Sequence, residues 1–332
     1  MPRRLIDVRD AKLLLDIASY ARRGPGRRDH LSHDEIELIE RTARRTPEVM
    51  VKVLTRGGQD LKAVARHMAY LNRGGDVEIE TDDGQQLSGK GVEKDLLEDW
   101  DLDLEDHRRT NDLESRSRRT PPKLVHKLLF SMPPGTPPAK VLAAVKNFAR
   151  EQYALKHRYA TVLHTDEPHP HVHMVVKAVS EQGERLNIRK ATLRKWRHEF
   201  ARHLRALGVP ANATERAVRG ESRKTSLDSI YRAEQRGVSL HSRERAEAVA
   251  RESRDGNLHP EPGKARLLET RRDVERGWHA VSDKLADTGL PELAIFVRQF
   301  VGAFRPPRTE REEIAVALQN RVRRAPDMTL AR

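Results

Sequence analysis

The apolar positions of this chain follow two periods, one typical of strands and one typical of helices. Residues 48–54 read EVMVKVL and alternate as a strand does, whereas residues 61–73 place apolar side chains three and four apart. Gly74 and Gly75 then end the helical pattern, so Tyr70 falls in its last turn. This stretch predicts a strand, a turn and an amphipathic helix that carries Tyr70 near its end.

The same patterns continue through the middle of the chain. Residues 122–132 predict a strand, the PPGTPP segment a sharp turn, and residues 139–156 a long helix. RYATVLHTDE and HPHVHMVVKAV then predict two strands joined at Pro168–Pro170, which makes an antiparallel hairpin. The order indicates an α+β fold, with a central antiparallel sheet and helices packed on it, and not a doubly wound sheet.

Composition shifts suggest three regions in a chain of 332 residues, of which 37% are hydrophobic. Residues 1–46 form a basic N-terminal extension with a helix at Val8–Arg22, residues 47–224 the main domain, and residues 225–332 a helical, charged C-terminal region. The main domain includes an acidic insertion at 76–120, where residues 76–106 hold 13 acidic side chains against two lysines. Such a charge run predicts a solvated segment kept away from any polyanion.

The overall charge narrows the class of partner. Lys and Arg number 63 against 50 Asp and Glu, for a net charge of +13 and a pI near 10.1, which suits nucleic acid or an anionic membrane surface. No apolar run reaches the roughly 18 residues of a membrane span, and the N-terminus lacks the apolar stretch of a signal peptide. We therefore expect a cytoplasmic protein. The chain has no Cys, so any metal must rest on His, Asp or Glu.

A histidine-rich segment, HTDEPHPHVHMVV, carries the candidate chemistry. Side chains alternate along a strand, so His171 and His173 project to one face while their neighbours point to the other. If the proline turn folds the preceding strand back, His164 reaches the same face, and three imidazoles can surround one divalent cation. Asp166 would act in the outer shell or hold an imidazole in its correct tautomer.

Two other interpretations of these histidines remain open at this point. A histidine cluster can simply be solvated on the surface, although the alternation HVH beside an apolar face makes that unusual. A histidine-rich tract can also bind metal without catalysis.

Three motifs, taken together, resemble those of a known family. HTDEPHPHVHMVVK resembles the third motif of the relaxase and mobilisation nuclease family, the HUH endonucleases, and is closest to the branch that includes the T-DNA border nuclease. AVARHMAYLNRGG resembles the helix that carries the nucleophilic tyrosine of that branch. FSMPPGTPP resembles its second motif, in which Ser131 would contact the DNA backbone. The resemblance spans residues 48–220, with the motifs in the family's order.

The sequence departs from the family pattern at two positions. Lys177, which we assign to DNA contact, stands where an Asn usually follows the last motif histidine by four residues, and this puts the role of that position in doubt. Residue 169 is His where many relatives carry Asn, and we assign His169 an outer-shell role. Neither change removes one of the three proposed ligands.

The resemblance implies a mechanism and selects one tyrosine. The chain offers Tyr20, Tyr70, Tyr153, Tyr159 and Tyr231. Tyr153 and Tyr159 sit where an aromatic is usually core, and only Tyr70 matches the family's motif. The resemblance implies attack by Tyr70, a 5′-phosphotyrosyl intermediate with a free 3′-hydroxyl, rejoining by the same site, and Mg or Mn as cofactor. A tyrosine in water has a pKa of about 10, so Asp166 or a water must accept its proton.

The segment from 185 to 224 holds the densest positive charge, with twelve Lys or Arg against three Glu. This segment predicts a helix with two possible roles, which can hold together. The helix could pack on the sheet through its apolar residues, and it could lie along DNA phosphates through its basic residues Arg189, Lys190, Arg194, Lys195 and Arg197.

Expected partners are single-stranded or partly melted DNA at an origin of transfer and an accessory origin-binding protein. Residues 225–332 would bind that protein, the coupling protein or the type IV secretion machinery, and the chain would be bacterial and transferred with the strand.

Two rival functions fit parts of the pattern. Rolling-circle replication initiators and transposases of the HUH class carry similar histidines, but their tyrosine usually follows the histidine strand, whereas Tyr70 precedes it. A noncatalytic DNA-binding protein with a structural metal is the rival from another class.

Overall fold

The computed structural model describes residues 31–54, 58–114, 121–222, 233, 235–256, 259 and 261–324. The helix predicted at Val8–Arg22 lies outside these residues. Contacts divide the chain into two compact units. Among the described residues, the first unit takes those from 45 to 213, and the second takes 31–44 together with those from 214 onward.

The first unit is built on one six-stranded sheet. Its strands are β1 (Met50–Leu54), β2 (Ile79–Thr81), β3 (Gln86–Leu87), β4 (Val125–Ser131), β5 (Tyr159–His164) and β6 (His171–Lys177). Their order across the sheet is β1-β4-β6-β5-β2-β3, and every neighbouring pair is antiparallel. The predicted antiparallel sheet and its β5–β6 hairpin are confirmed.

Helices cover both faces of this sheet. The first helix in chain order, α1 (His33–Ala43), belongs to the second unit. The helices of the first unit are α2 (Leu61–Leu71), α3 (Val92–Asp99), α4 (Leu102–Glu114), α5 (Pro138–Tyr153) and α6 (Lys190–Ala206). One apolar core joins Val172, Met174 and Val176 of β6 to α5 and α6. A second core joins Val175 and strand β5 to α2 and α3 on the opposite face. The α+β class with helices packed on the sheet is therefore confirmed.

The face covered by α2 also carries the histidines. Register places His171 opposite Ser131 and His164, and His173 opposite Leu129 and Val162. Lys52 of the edge strand β1 continues the same row, opposite Leu129. We call this side of the sheet, defined by these residues, the histidine face.

Helix α2 begins and ends as its sequence predicts. The side chain of Asp60 accepts a hydrogen bond from the backbone N–H of Ala63 at 3.0 Å, which caps the start. Val64, Met68 and Leu71 are buried in the second core. Their spacing leaves Tyr70 on the outer side of the helix, where 51% of the residue is exposed.

The acidic insertion differs from its expectation. Residues 76–114 supply β2, β3, α3 and α4, and Leu96, Trp100 and Leu102 are fully buried in the second core. Several acidic side chains pair with basic ones of the main domain, as Asp82 and Asp99 do with Arg158. The prediction of a solvated segment is wrong because apolar residues at helical spacing lie inside the charge run and outweigh it.

The second unit is helical. Its elements are α1 (His33–Ala43), a 3₁₀ turn (Ala217–Arg219), α7 (Leu240–Arg254), α8 (Lys264–Asp287), α9 (Pro291–Gly302) and α10 (Glu310–Arg324). Ile39 and Ala43 of α1 are buried in one core with Trp278 and Phe300. The helical C-terminal region is confirmed, but α1, predicted as part of an N-terminal extension, packs with it. Within the described residues, no helix is both long and apolar enough to span a membrane.

Candidate metal and nucleophile site

The β5–β6 hairpin brings three histidines together. One ring nitrogen from each of His164, His171 and His173 can be chosen so that all three lie within 4.8 Å of one another. Their ring centroids are 4.9 to 5.4 Å apart. This is the arrangement that the alternation of the strands predicts, and it gives three imidazoles that could hold one cation.

Backbone carbonyls set the tautomers of two of these rings. His164 Nε2 donates to the carbonyl of Leu71 at 2.8 Å, which leaves Nδ1 as the lone-pair nitrogen. His171 Nδ1 donates to the carbonyl of His169 at 3.0 Å, which leaves Nε2. His173 differs, because its Nδ1 is buried and has no hydrogen-bond partner among the described residues.

Burial keeps two of the rings neutral. Desolvation, followed by the neighbouring His164 and His171, lowers the pKa of His173 to about 3. Desolvation also lowers the pKa of His164, against the opposing effect of its hydrogen bond to Leu71. At neutral pH both imidazoles therefore have a lone pair to offer to a metal ion.

Tyr70 lies beside this cluster and is connected to it by contacts. Its ring stacks on that of His67 with centroids 6.5 Å apart and planes 18° apart. The His67 ring in turn lies 6.3 Å from that of His173, edge on. The bond from His164 to Leu71 also fixes the end of α2 against the hairpin. An exposed phenol and three imidazoles thus share one region of the histidine face.

The structure shows the contacts of Asp166 and His169, and their outer-shell roles stay predictions. Asp166 forms an ion pair with Arg73, whose guanidinium carbon lies 4.8 Å from the centre of the Tyr70 ring. Asp166 therefore contacts the neighbour of Tyr70, and backbone carbonyls accept the hydrogen bonds of His164 and His171. His169 is exposed and contributes its backbone carbonyl, which any residue would supply.

The two predicted DNA contacts on the sheet have different surroundings. Ser131 is paired with His171 across the β4–β6 ladder, so it lies beside the cluster. Lys177 lies at the other end of β6, is 5% exposed, and has its ammonium 3.4 Å from Glu105 and 3.3 Å from Glu181. Its described contacts are ion pairs, and DNA contact by Lys177 stays a prediction.

The basic residues of α6 are not brought to the histidines. Trp196, Phe200 and Leu204 pack α6 on the face opposite the histidine face. The amphipathic packing that we considered is therefore present, and Arg197 lies 3.5 Å from Glu48. DNA contact by the basic residues of this helix stays a prediction, and concerns Arg189, Lys190, Arg194, Lys195 and Arg197.

Burial separates the tyrosines as expected where they are described. Tyr153 and Tyr159 are 2% and 5% exposed and belong to the core between the sheet and α5. Burial raises the pKa of both phenols. Tyr20 and Tyr231 lie outside the described residues. Among the three described tyrosines, Tyr70 is the exposed one.

Three further residues that line this site were not predicted from the sequence. His67 and Arg73 flank Tyr70 at helical spacing, a signal that the sequence does contain. Lys127 lies on the histidine face, where burial, followed by Lys123, lowers its pKa to about 8. Burial, followed by Lys127 and His164, lowers the pKa of His67 to about 4.

A second group of possible ligands lies on the opposite face. Glu151, Glu199 and His203 have one ligand atom each within 4.8 Å of the others. Arg202 bonds both carboxylates, and His203 lies 3.1 Å from Glu151. Because Arg202 and His203 already bind these carboxylates, the group forms an ion-pair network on α5 and α6.

Comparison with known proteins places this sheet and its histidines in a family. Residues 70–208 match the family described as "Relaxase: MobA/VirD2-like, nuclease domain". The matched segment begins at Tyr70 and includes Ser131 and all three histidines of the cluster. Residues 70–208 of the first unit thus match a nuclease domain of the relaxase type, and this match supports membership of the relaxase family.

Within that family the chain is similar to a characterised relative. Over 238 residues it is 24% identical to "T-DNA border endonuclease VirD2" of Agrobacterium fabrum (strain C58 / ATCC 33970). The match covers 64% of this chain and 50% of that protein, so the chain spans about half the length of the curated relative. No solved structure matches the chain.

Proposed function

We propose that the first unit nicks one DNA strand at an origin of transfer and later rejoins it, with Tyr70 as nucleophile. The observation that carries this proposal is the convergence, on one face of the sheet, of three imidazoles and an exposed phenol connected through His67. The relaxase nuclease match over residues 70–208 supports the same chemistry.

The proposed step exchanges one phosphodiester for another. The Tyr70 oxygen forms a bond to the scissile phosphorus as the bond to the 3′-oxygen breaks. The phenolic proton passes to Asp166 or a water, and the leaving 3′-oxygen takes up a proton. The strand 3′ of the nick stays on Tyr70 through its 5′-phosphate, and attack on this phosphate by the free 3′-hydroxyl reverses the reaction without added energy.

The chain's own residues prepare this step. Arg73 lies over the Tyr70 ring and pairs with Asp166, so it holds the phenol and the carboxylate on the same side of α2. Ser131, beside His171, is the residue we propose for contact with the DNA backbone. Lys52 is exposed on the histidine face, and Arg66 is exposed on α2, which covers this face, so we propose that the strand crosses the histidine face.

The residues fit the divalent cation that the family implies. His164 and His171 each turn a lone-pair nitrogen away from their carbonyl partners, and the three histidines together would hold the ion. Nitrogen donors suit Mn²⁺ better than Mg²⁺, which prefers oxygen ligands. A bound cation would supply Lewis-acid stabilisation of charge on the nonbridging phosphate oxygens.

The setting of the reaction is also a proposal. We propose single-stranded or partly melted origin DNA as substrate, an accessory protein that exposes the strand, and a coupling protein or type IV secretion machinery as later partner. The chain would act in the bacterial cytoplasm and travel with the strand. The net charge of +13 supports a polyanionic partner.

The first test is the covalent intermediate. The full chain with Mn²⁺ is incubated with a pool of random-sequence single-stranded DNA labelled at the 3′ end, because the fragment 3′ of the nick should stay on the protein through its 5′-phosphate. Wild type should give a labelled band that resists SDS, and Tyr70→Phe should abolish it while DNA binding persists, because only the attacking oxygen is lost.

Tyr153→Phe is the matched control for this test. Its hydroxyl is buried and has no partner among the described residues, so its removal should leave both the fold and the adduct unchanged. An adduct that persists in Tyr70→Phe would move the nucleophile elsewhere, with Tyr20 and Tyr231 as the next variants. Metal binding without any adduct from wild type would favour the noncatalytic alternative.

A further inference from the structure

Two of the three clustered histidines have an outer hydrogen-bond partner, and the third does not. His164 and His171 each donate to a backbone carbonyl, whereas the buried Nδ1 of His173 has no partner among the described residues. A metal-bound imidazole almost always donates its second ring N–H to a carboxylate, a carbonyl or water, which fixes the ring and raises its basicity. His173 therefore lacks a feature that a ligand needs.

The neighbouring imidazole of His67 also has a buried nitrogen without a hydrogen bond. Its Nε2 has no hydrogen-bond partner among the described residues. The two rings lie edge on, with centroids 6.3 Å apart and planes 76° apart. Asp166 does not serve here, since its carboxylate pairs with Arg73. Two buried, unpartnered ring nitrogens therefore belong to adjacent rings.

We propose that His67 is a positioning residue: its Nε2 accepts the Nδ1–H of His173, directly or through one water, and so turns His173 Nε2 toward the cation. The gap between the rings is closed by a rotation of the His67 side chain or by a bridging water. This inference rests on the proposed metal site, and it adds to it a residue outside the three-histidine set.

The same residue would connect the cation to the nucleophile. His67 stacks on Tyr70 three residues further along α2, so one side chain touches both the phenol and the third ligand. Loading the histidines would therefore hold the His67 ring in place, and with it the stacked ring of Tyr70. The helix that carries the nucleophile then has a side-chain link to the histidine face besides the bond from His164 to Leu71.

The experiment compares two substitutions of His67, each of which keeps one feature of the imidazole and removes the other. His67→Phe keeps a ring to stack on Tyr70 but removes the acceptor, whereas His67→Gln loses the ring but places an amide oxygen or nitrogen near the position of Nε2. Mn²⁺ affinity of the full chain is measured by electron paramagnetic resonance of the free ion. We expect His67→Phe to weaken binding about tenfold or more and His67→Gln to stay within a few-fold of wild type.

A purely structural role predicts the reverse order, with His67→Phe close to wild type and His67→Gln weakened, and that result would overturn the proposal. His126→Phe is the matched control: His126 also has a buried, unpartnered Nδ1, but it lies opposite Val176, on the other face of the sheet. Its Mn²⁺ affinity should equal that of wild type.

A second readout requires neither metal nor activity. Long-range ¹H–¹⁵N spectra of the metal-free chain report which nitrogen of His173 carries the proton. Wild type and His67→Gln should show the Nδ1–H tautomer, and His67→Phe should shift the population toward Nε2–H. An identical tautomer in all three proteins would overturn the inference even if no Mn²⁺ bound.

These outcomes separate the inference from the proposed function. An adduct on Tyr70 together with unchanged affinity and tautomer in His67→Phe would leave the nuclease standing and remove the role of His67. Loss of affinity in His67→Phe without any adduct from wild type would support the role of His67 and remove the nuclease.

Discussion

His164 and His171 are oriented by carbonyls that come from different parts of the chain. Leu71 is the last residue of α2 and bonds His164, whereas His169 precedes β6 and bonds His171. A backbone carbonyl makes no demand on the side chain that bears it. The departure at residue 169, His in place of the more usual Asn, is thus compatible with an unchanged ligand geometry.

His126 provides a residue-scale test of how burial acts on the stability of the sheet. Burial, followed by Lys123, lowers its pKa from 6.5 to about 4. As the pH falls through 6.5, this histidine takes up a proton in the unfolded chain, whereas in the folded chain it does so only near pH 4. Acidification therefore favours the unfolded chain, and the free energy of unfolding that is present above pH 6.5 decreases. The loss between pH 7 and pH 5 should be about 1 to 2 kcal/mol, allowing for partial exposure.

The measurement is hydrogen exchange of the β4–β6 amides in urea at both pH values, for wild type and His126→Gln. Other buried histidines also titrate in this range, so the readout is the difference between the two proteins. The variant should lose less stability on acidification than wild type. Equal losses would show that His126 is protonated in the folded chain well above pH 4.

At the scale of elements, the turn after α2 holds Tyr70's helix against the acidic segment. Gly75 has a φ of 116°, and a Cβ there would lie 2.8 Å from the backbone carbon of Gly89. Gly75 also accepts a hydrogen bond from the Gly89 N–H at 3.2 Å. The close approach of two backbones therefore requires glycine at this position.

Gly75→Ala and Gly74→Ala form a matched pair. Gly74 also has a positive φ, of 72°, but a Cβ there meets nothing within 4 Å among the described residues. We expect Gly74→Ala to cost about 1 kcal/mol and Gly75→Ala about 3 kcal/mol or more, from strain and overlap together. Thermal unfolding of the first unit measures both. Equal losses would mean that the Gly89 backbone moves aside freely.

Local patterns predicted most elements of the first unit because its strands and helices have clear periods. The hairpin of β5 and β6 also determined that His164, His171 and His173 share a face. Non-local contacts could not be predicted, because nothing in the sequence pairs Leu71 with His164 or Arg73 with Asp166. The acidic segment was mispredicted because net charge was given more weight than the spacing of Leu96 and Trp100.

At the scale of the whole chain, the boundaries of the units depend on which apolar residues find a common core. Ile39 and Ala43 lie in a polar, basic stretch, yet they are buried with Trp278 of α8. Only the folded structure reveals that pairing, because a short amphipathic helix is compatible with several partners. Residues 31–44 therefore belong with the C-terminal helices.

The same reasoning applies to the path of the DNA. A basic amphipathic helix such as α6 has a recognisable apolar side, but its sequence does not state which face of the sheet that side covers. Because α6 lies opposite the histidine face, a strand held at Tyr70 would have to pass around the edge of the sheet to reach Arg194 and Lys195.

The salt dependence of binding discriminates between the two surfaces. Each phosphate contact on a single strand contributes about 0.7 to the slope of log K against log salt. The measurement uses a Tyr70→Phe background, which prevents covalent capture. In this background, the double variant Lys52→Ala with Arg66→Ala should flatten the slope for a single-stranded oligonucleotide by about 1.4. The reason is that Lys52 lies on the histidine face and Arg66 on the helix that covers it. The double variant Arg194→Ala with Lys195→Ala removes as much charge and should leave the slope unchanged. The opposite pattern would place the strand along α6, as the sequence alone suggested, and would separate DNA binding from the histidine face.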